Sequence, residues 1–265
     1  MSGPAAGTAP GIHPSAIVDP DAEIAPSVGV GPFSVIGPGV RLDERVRVGS
    51  HVRLERDTHL GEDCVVFHGA VLGTDPQDLK YDGEPSRLEV GPRTTIREYC
   101  TLNRGTGANG VTRVGADCLL MAYVHVAHDC VLGDHVILAN GVQLGGHVEI
   151  GEHATIGGLT GVHQFVRVGA QAFVGACSKP TQDVPPYLLV DGHPCVARGV
   201  NVIGLKRRGF DDAVTRRLRK AYRAIYKSSR HVGDAVDEIA AWEETGPEVD
   251  RFLDFIRTSE RGIVS

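Results

Sequence analysis

One periodicity dominates this chain. Every sixth residue from Ile12 to Val174 is isoleucine, leucine or valine at 25 of 28 positions, the exceptions being Asp78, Glu84 and Ala108. A second inward register lies four residues after each aliphatic and is small or β-branched, as at Ala16, Val28, Ser34, Val46, Thr58, Val124, Val136 and Ala154. Two inward positions per six residues do not fit a helix of period about 3.6. They fit a short strand followed by a turn. Glycine often follows the aliphatic, as at Gly37, Gly61, Gly133 and Gly151, and is expected to relieve a tight backbone there. Units too small to bury a core alone must stack, which makes the chain a solenoid.

Composition agrees with small repeated units. Glycine reaches 34 of 265 residues while aromatics are 5%. Cys64, Cys100, Cys118 and Cys130 fall in the small inward register and read as buried thiols. With no CxxC pair, a zinc ribbon or a thioredoxin-like site is not expected. No run is long and apolar enough for a membrane span, and the N-terminus lacks the basic and apolar segments of a secretory signal, so the cytoplasm is the expected compartment.

The repeat breaks near 73–88 and 103–113, in stretches rich in glycine, proline and polar residues. Both read as loops leaving the coil, and loops on a rigid scaffold commonly carry function. After Val174 the prolines at 180, 185 and 186 are expected to forbid regular structure. A helical pattern then begins near 211, with Val214, Leu218, Ala221, Tyr222 and Ile225 at three- and four-residue spacing. Further helices are expected near 232–244 and 247–260. These bounds divide the chain into a repeat domain over 11–190 and a helical domain over 191–265. Charge is uneven: residues 201–230 hold ten Lys or Arg against two Asp, on a chain of formal charge −6. Such a segment attracts an anionic partner.

Six of the twelve histidines fall between 125 and 163. His135, His147 and His153 occupy outward or corner positions, whereas His128 replaces a generic residue in VHVAHDC and His163 stands where glycine usually follows the aliphatic. If three hexads make one coil, Asp129 and His147 are neighbours on successive coils. A neutral imidazole removes a proton near pH 7, and a carboxylate orients it, so His128 is the leading candidate base. No cysteine or carboxylate falls at the usual ligand spacing, and no metal site or cofactor is expected.

At AYVHVAHDC, GGHVEIG, GLTGVHQF, QDVPPY and GVNVIGLKRRGF the chain resembles the acyl-(acyl-carrier-protein)–UDP-N-acetylglucosamine O-acyltransferases, from about Ile12 to the C-terminus. The resemblance implies a left-handed parallel β-helix followed by a C-terminal helical domain, assembled as a homotrimer with active sites in clefts between neighbours. It implies direct transfer of an R-3-hydroxyacyl group from acyl carrier protein to the 3-hydroxyl of UDP-N-acetylglucosamine, the first step of lipid A synthesis. By the same resemblance His128 is the general base, Asp129 assists it, and the Gly146 N–H serves the oxyanion. His147 and Gln164 contact acyl or sugar groups, and His125 and His163 complete the pocket. Asp78 and Lys80 meet the nucleotide sugar, and Asn201, Arg207 and Arg208 hold the uridine and phosphates. Ala176 stands where side-chain size limits acyl length.

The chemistry asks for such groups. A hydroxyl attacking a thioester needs a base, the tetrahedral oxyanion a fixed donor, and a diphosphate charge-assisted partners. No Ser or Cys with a paired base suggests an acyl-enzyme. Two departures from the family bear on the nucleotide: Ile203 replaces a common glutamate, and Asn103 replaces a histidine. The rivals are a 3-amino-sugar N-acyltransferase, the later N-acyltransferase of the same fold with an extra N-terminal domain, a γ-type carbonic anhydrase, and a non-catalytic anion-binding scaffold. No nucleic acid partner is expected.

Overall fold

The computed structural model describes residues 9–107 and 110–265, so Ala108, one of the three breaks in the period, and residues 1–8 at the N-terminus lie outside the described residues. Between Gly11 and Val174 short strands wind into a left-handed parallel β-helix with three flat faces. Face one runs from Gly11–Ile12 to Phe173–Val174, face two from Ile17–Val18 to Gly161–Val162, and face three from Glu23–Ile24 to Arg167–Val168. Ile36 pairs with Leu54 and Val126 with Leu144, each partner standing three hexads further along the chain. Each coil therefore stacks hexad on hexad.

The inward aliphatics fill the prism. Leu42, Leu54, Leu72, Ile96, Leu120 and Leu138 are all under 2% exposed. At the first coil Ile12 has a stacking partner on one side only among the described residues and is 48% exposed. The four inward cysteines are buried, and desolvation pushes the Cys64 and Cys130 thiols up to about 12 and those of Cys100 and Cys118 to about 11. They are packing residues, as their register implied.

The glycine after each aliphatic has a different cause from the one expected. The residue with left-handed backbone sits two positions further on and is usually not glycine: Asp63, Asp117, Asp129, His135, His147 and His153 all have φ between 56° and 59°. Each such corner costs roughly 1 kcal/mol for a residue with a Cβ. Stacked coils hold it there, the His147 N–H donating to the His128 carbonyl at 3.0 Å and that of His153 to Asp134 at 2.8 Å. The glycines instead permit close approach between coils. A Cβ on Gly151 would stand 2.4 Å from the nitrogen of Ala170, and one on Gly157 would stand 2.5 Å from that of Ala176.

The interruptions are narrower than the sequence suggested. Strands Val71–Thr74 and Arg87–Val90 bound the first at residues 75–86, and strands Thr101–Asn103 and Val111–Val114 bound the second at 104–110. Leu60 pairs with Val90, five hexads on instead of three, and Leu102 pairs with Val126, four hexads on. The insertions thus add whole hexads, two in the first and one in the second, and the sequence period survives them.

The prolines do not abolish structure as expected. Directly after them, strand Leu188–Asp191 pairs with Phe173–Val174 and turns into an antiparallel partner, Val196–Val200. Four helices follow: α1 (Val202–Arg207), α2 (Asp212–Tyr226), α3 (Val232–Ala240) and α4 (Pro247–Arg257). The short α1 carries no periodicity long enough to find in sequence. Leu218, Ala221, Tyr222 and Ile225 of α2 are buried as expected, and Asp211 caps it through the Ala213 N–H. The Tyr222 hydroxyl donates to the Ala197 carbonyl and ties α2 to the hairpin.

Candidate active site

His128 and Asp129 stand at the corner between faces two and three, and the coil geometry stacks two columns there. His128, Gly146 and Gln164 form one at three-hexad spacing; Asp129, His147 and Phe165 form the other. The His147 ring lies flat against Phe165 at 4.6 Å and edge-on to His128 at 5.1 Å.

His128 Nδ1 lies 2.9 Å from Asp129 Oδ2. Burial acts to raise the Asp129 pKa, but hydrogen bonds from Thr106 and His128 outweigh it, and the carboxyl is held below its ordinary value. A carboxylate only accepts, so Nδ1 carries the proton and Nε2 keeps a lone pair. That Nε2 faces Gly146 across a gap so small that a Cβ there would lie 2.6 Å from it. Among the described residues the Gly146 N–H has no acceptor. An imidazole lone pair and a free amide donor therefore border one space.

That space is a cleft of about 660 Å³ over face two. His125, His128, Gly146, His163 and Gln164 all line it. His125 hydrogen-bonds the Thr101 hydroxyl at 2.8 Å, and its pKa is lowered, chiefly by burial. Lys179 and His193 also reach the cleft, from beyond the last hexad where the period no longer fixes position. His147 opens instead onto a neighbouring cleft with Arg167 and Arg261.

The remaining expected site residues lie elsewhere. Asn201, Arg207 and Arg208 line a separate cleft of about 740 Å³ over face one. Asn201 is 6% exposed, its side-chain Oδ1 capping α1 by accepting the Gly204 N–H and its Nδ2 donating to the Gln171 carbonyl. Its side chain thus holds the turn that carries the two arginines. Arg208 Nη2 donates to the His153 carbonyl at 2.7 Å, whereas its Nη1 is buried with no partner among the described residues. An unpartnered buried guanidinium nitrogen is uncommon and leaves a donor free toward this cleft. Ile203 lines the same cleft and is 69% exposed.

Asp78 and Lys80 sit on the first loop, where the Asp78 carboxylate accepts the Lys80 N–H. Their neighbour Gln77 lines the His128 cleft, but they do not. Ala176 is exposed at the corner between faces one and two and does not line that cleft either. Asn103, by contrast, is 1% exposed and anchors the first loop through Thr74 Oγ1 and the Asp75 carbonyl.

Stacking brings His128, Asp129 and His147 together at a sequence spacing outside the usual linear ligand motifs. One nitrogen each of His128 and His147 and an oxygen of Asp129 lie within 4.8 Å of one another, so a carboxylate does stand at ligand distance from two imidazoles. Its oxygens are already engaged, however, by the Thr106 N–H and hydroxyl as well as by His128. A metal would have to displace those bonds. Thr112, whose hydroxyl accepts the Asp129 N–H at 2.9 Å, stands in the small inward register, whereas Thr106 on the loop is a site residue that the period did not reveal.

A hexad prism with a paired imidazole at one corner defines a hexapeptide-repeat transferase, and the family profile described as bacterial transferase hexapeptide (six repeats) matches residues 112–146. A second, described as Udp N-acetylglucosamine O-acyltransferase domain 2, matches residues 183–264. An acyl-(acyl-carrier-protein)–UDP-N-acetylglucosamine O-acyltransferase of Paracidovorax citrulli is 53% identical over 257 residues, covering 95% of this chain and 98% of the relative. One from Burkholderia orbicola is 45% identical over 258 residues, covering 96% and 98%. LpxA from Acinetobacter baumannii superposes with a TM-score of 0.93 at 41% identity, covering 96% of this chain and 99% of that one. The Arabidopsis UDP-N-acetylglucosamine acyltransferase superposes with a TM-score of 0.76 at 33% identity, covering 96% and 100%. The chain belongs to the acyl-(acyl-carrier-protein)–UDP-N-acetylglucosamine O-acyltransferase family.

Proposed function

We propose that this chain carries out the reaction its family is named for, moving an R-3-hydroxyacyl group from acyl carrier protein to the 3-hydroxyl of UDP-N-acetylglucosamine, the first step of lipid A synthesis. The observation that carries the residue assignments is the pairing of His128 Nδ1 with Asp129 Oδ2 at 2.9 Å beside the N–H of Gly146, which has no acceptor among the described residues. His128 Nε2 takes the proton of the sugar hydroxyl as its oxygen attacks the thioester carbonyl carbon. The Gly146 N–H donates to the resulting oxyanion. Collapse breaks the C–S bond, and the imidazolium returns its proton to the leaving thiolate, giving an ester and the carrier thiol. Asp129 fixes the imidazole tautomer and stabilises its cation. His125, His163 and Gln164 line the substrate space, and His147 borders it.

The arginine cleft and the histidine cleft lie on different faces of one chain, and their union is the case for a homotrimer. The corner between faces one and two carries Phe33, Tyr99, Tyr123 and Leu159, exposed by 60, 48, 61 and 71%. An apolar row of this kind is characteristic of an interface. A threefold axis beside that corner sets face two of each copy against face one of the next, so Arg207 and Arg208 of one chain approach His128 of its neighbour. There they receive the diphosphate, with the orphaned Arg208 Nη1 finding its acceptor. Asn201 holds the arginine-bearing turn, and Asp78 and Lys80 meet the nucleotide sugar from the loop. The acyl carrier protein, an acidic partner, is drawn by the basic 201–230 segment. Among the described residues no helix is long and apolar enough to cross a membrane.

Mass spectrometry of products from mixed acyl carrier proteins, offered UDP-N-acetylglucosamine and its 3-amino analogue together, tests the reaction. An ester on the ordinary sugar nucleotide is expected; amide product alone, or none, overturns it. His128→Ala should lower turnover by about 10²- to 10⁴-fold with the fold intact. A near-normal rate in that variant removes His128 from the role.

A further inference from the structure

We infer that Thr106, on the second insertion, is the positioning residue that orients Asp129 and thereby His128 for the transfer reaction. The inference rests on the acyltransferase reading of the His128 cleft.

Thr106 approaches the Asp129 carboxylate with two donors at once: its N–H lies 2.8 Å from Oδ1 and its hydroxyl 2.6 Å from Oδ2. Together they pin both oxygens and fix the plane of the carboxylate. Oδ2 is the oxygen that His128 Nδ1 also meets, at 2.9 Å, and His147 Nε2 lies 3.6 Å from it. The Asp129 side chain is 8% exposed, so water cannot replace a lost donor freely. From below, the Thr112 hydroxyl accepts the Asp129 N–H at 2.9 Å. Thr112, on the strand that follows the insertion, and Thr106, within it, therefore clamp the residue from backbone and side chain.

The segment that delivers Thr106 is itself braced. Arg104, only 3% exposed, donates to the Gly73 carbonyl, to Asp75 and to the Tyr81 hydroxyl, and so is bolted to the first insertion. The Gly107 N–H reaches Glu84 of that same insertion at 3.2 Å. Gly105 has no room for a side chain, since a Cβ would stand 2.1 Å from the nitrogen of Val111. Both departures from the coil thus converge on the placement of one hydroxyl and one amide against Asp129. Among the described residues the hydroxyl makes no other hydrogen bond.

Among the described residues the charged and titratable groups near Asp129 are His128 on its own turn, His147 on the next coil and the buried Cys130 thiol beside it; from the insertion the neutral Thr106 contacts the carboxylate. Without the Thr106 hydroxyl, the carboxylate form loses a bond that opposes the effect of burial, so Asp129 binds its proton at higher pH.

The experiment compares the full-length wild type with Thr106→Val and Thr106→Ser, using acyl carrier protein thioester and UDP-N-acetylglucosamine. Thr106→Val should lower kcat by about tenfold to a hundredfold, the worth of a hydrogen bond to a charged group, with KM for the sugar nucleotide little changed. The acidic limb of its pH–rate profile should move to higher pH. Thr106→Ser keeps both donors and should recover most of the rate and the original limb. Nitrogen NMR of the His128 ring should report a firm Nδ1–H tautomer in wild type and Ser, and a mixture in Val. If Val does not fold, Thr106→Ala reads the same losses. An unmoved limb with wild-type kcat in the folded Val or Ala variant overturns the inference, and so does a Ser variant as impaired as Val. Wild-type protein that transfers no acyl group fails the functional reading instead, and the NMR comparison still decides whether Thr106 orients the pair.

Discussion

A Cβ on Gly146 would stand 2.6 Å from both Cε1 and Nε2 of His128. A methyl carbon does not sit so close to a ring atom without something moving, and the proposed reaction uses both sides of this contact. The backbone of Gly146 cannot recede, because its carbonyl accepts the Phe165 N–H and its neighbours bond to the adjacent coils. The ring must yield instead, and a shift of the ring disturbs its 2.9 Å contact with Asp129. Gly146→Ala should therefore lower kcat at least tenfold while its far-ultraviolet circular dichroism and unfolding midpoint stay close to wild type. Steady-state rates beside a thermal melt decide the matter, and undiminished turnover would show that the gap is not catalytic.

Asp129 also links the site to stability. Its folded carboxyl lies below the ordinary value because the Thr106 and His128 hydrogen bonds overcome the opposing effect of burial. A depressed folded pKa means that ionisation stabilises the fold above the unfolded value of about 3.9, and that this contribution is lost as pH falls through the folded value. Asp129→Asn should therefore be less stable than wild type at pH 7. The gap between the two should narrow as pH drops below about 4. Urea unfolding of both proteins across that range is the measurement, and a gap that widens with acid contradicts the assignment.

The prism was readable because its period never loses phase, even where Leu60 and Val90 pair across five hexads instead of three. Six-residue spacing also placed Asp129 under His147, since positions three hexads apart must stack. Thr106 was not readable in this way. It lies on an excursion where no register applies, and only the pairing of Leu102 with Val126 reveals a coil lengthened by one hexad, which carries the loop beneath Asp129. The role of glycine was misread for a related reason. Sequence shows that Gly151 follows Ile150, but not that a backbone nitrogen of the next coil lies where its Cβ would be. Asn201 stands in the expected motif, yet its side chain is spent on α1 and on Gln171, a contact between segments far apart in the chain.

That misreading yields a stability prediction. Gly157 has ordinary backbone angles, so alanine there brings no conformational strain of its own, yet its Cβ would meet the Ala176 nitrogen at 2.5 Å and the carbon of Gly175 at 2.7 Å. Backbone cannot rotate away as a side chain can. Gly157→Ala should cost about 1–3 kcal/mol, the usual cost of overpacking a tight site. Chemical denaturation would read this directly. A neutral or stabilising effect would mean that the coils separate more easily than their stacking implies.

The two arginines of the face-one cleft differ in setting. Arg207 is exposed, whereas Arg208 is half-buried, bonded to the His153 carbonyl and left with one nitrogen unpartnered among the described residues. Arg208→Ala should raise KM for UDP-N-acetylglucosamine by about tenfold or more, the worth of a charge-assisted contact, and leave kcat much less affected. Arg207→Ala should act in the same direction but more weakly and with stronger salt dependence, because exposed charges are screened. Titrating the sugar nucleotide at two ionic strengths separates them. An unchanged KM in the Arg208 variant would exclude that cleft from nucleotide binding.

Ala176 lies on the exposed corner between faces one and two, at the rim of the His128 cleft, whose lining includes its neighbours Cys177 and Ser178 and Leu159 of the preceding coil. Its methyl can therefore meet an acyl tail that leaves the cleft along this corner. Each buried methylene is worth about 0.8 kcal/mol, close to fourfold in a rate ratio, so one methyl suffices to change preference. Ala176→Gly should shift the favoured acyl chain to greater length without altering the sugar nucleotide KM. Competition between carrier-bound acyl groups of graded length gives the ratio in one reaction. If the product distribution matches that of wild type, the tail does not end at this residue.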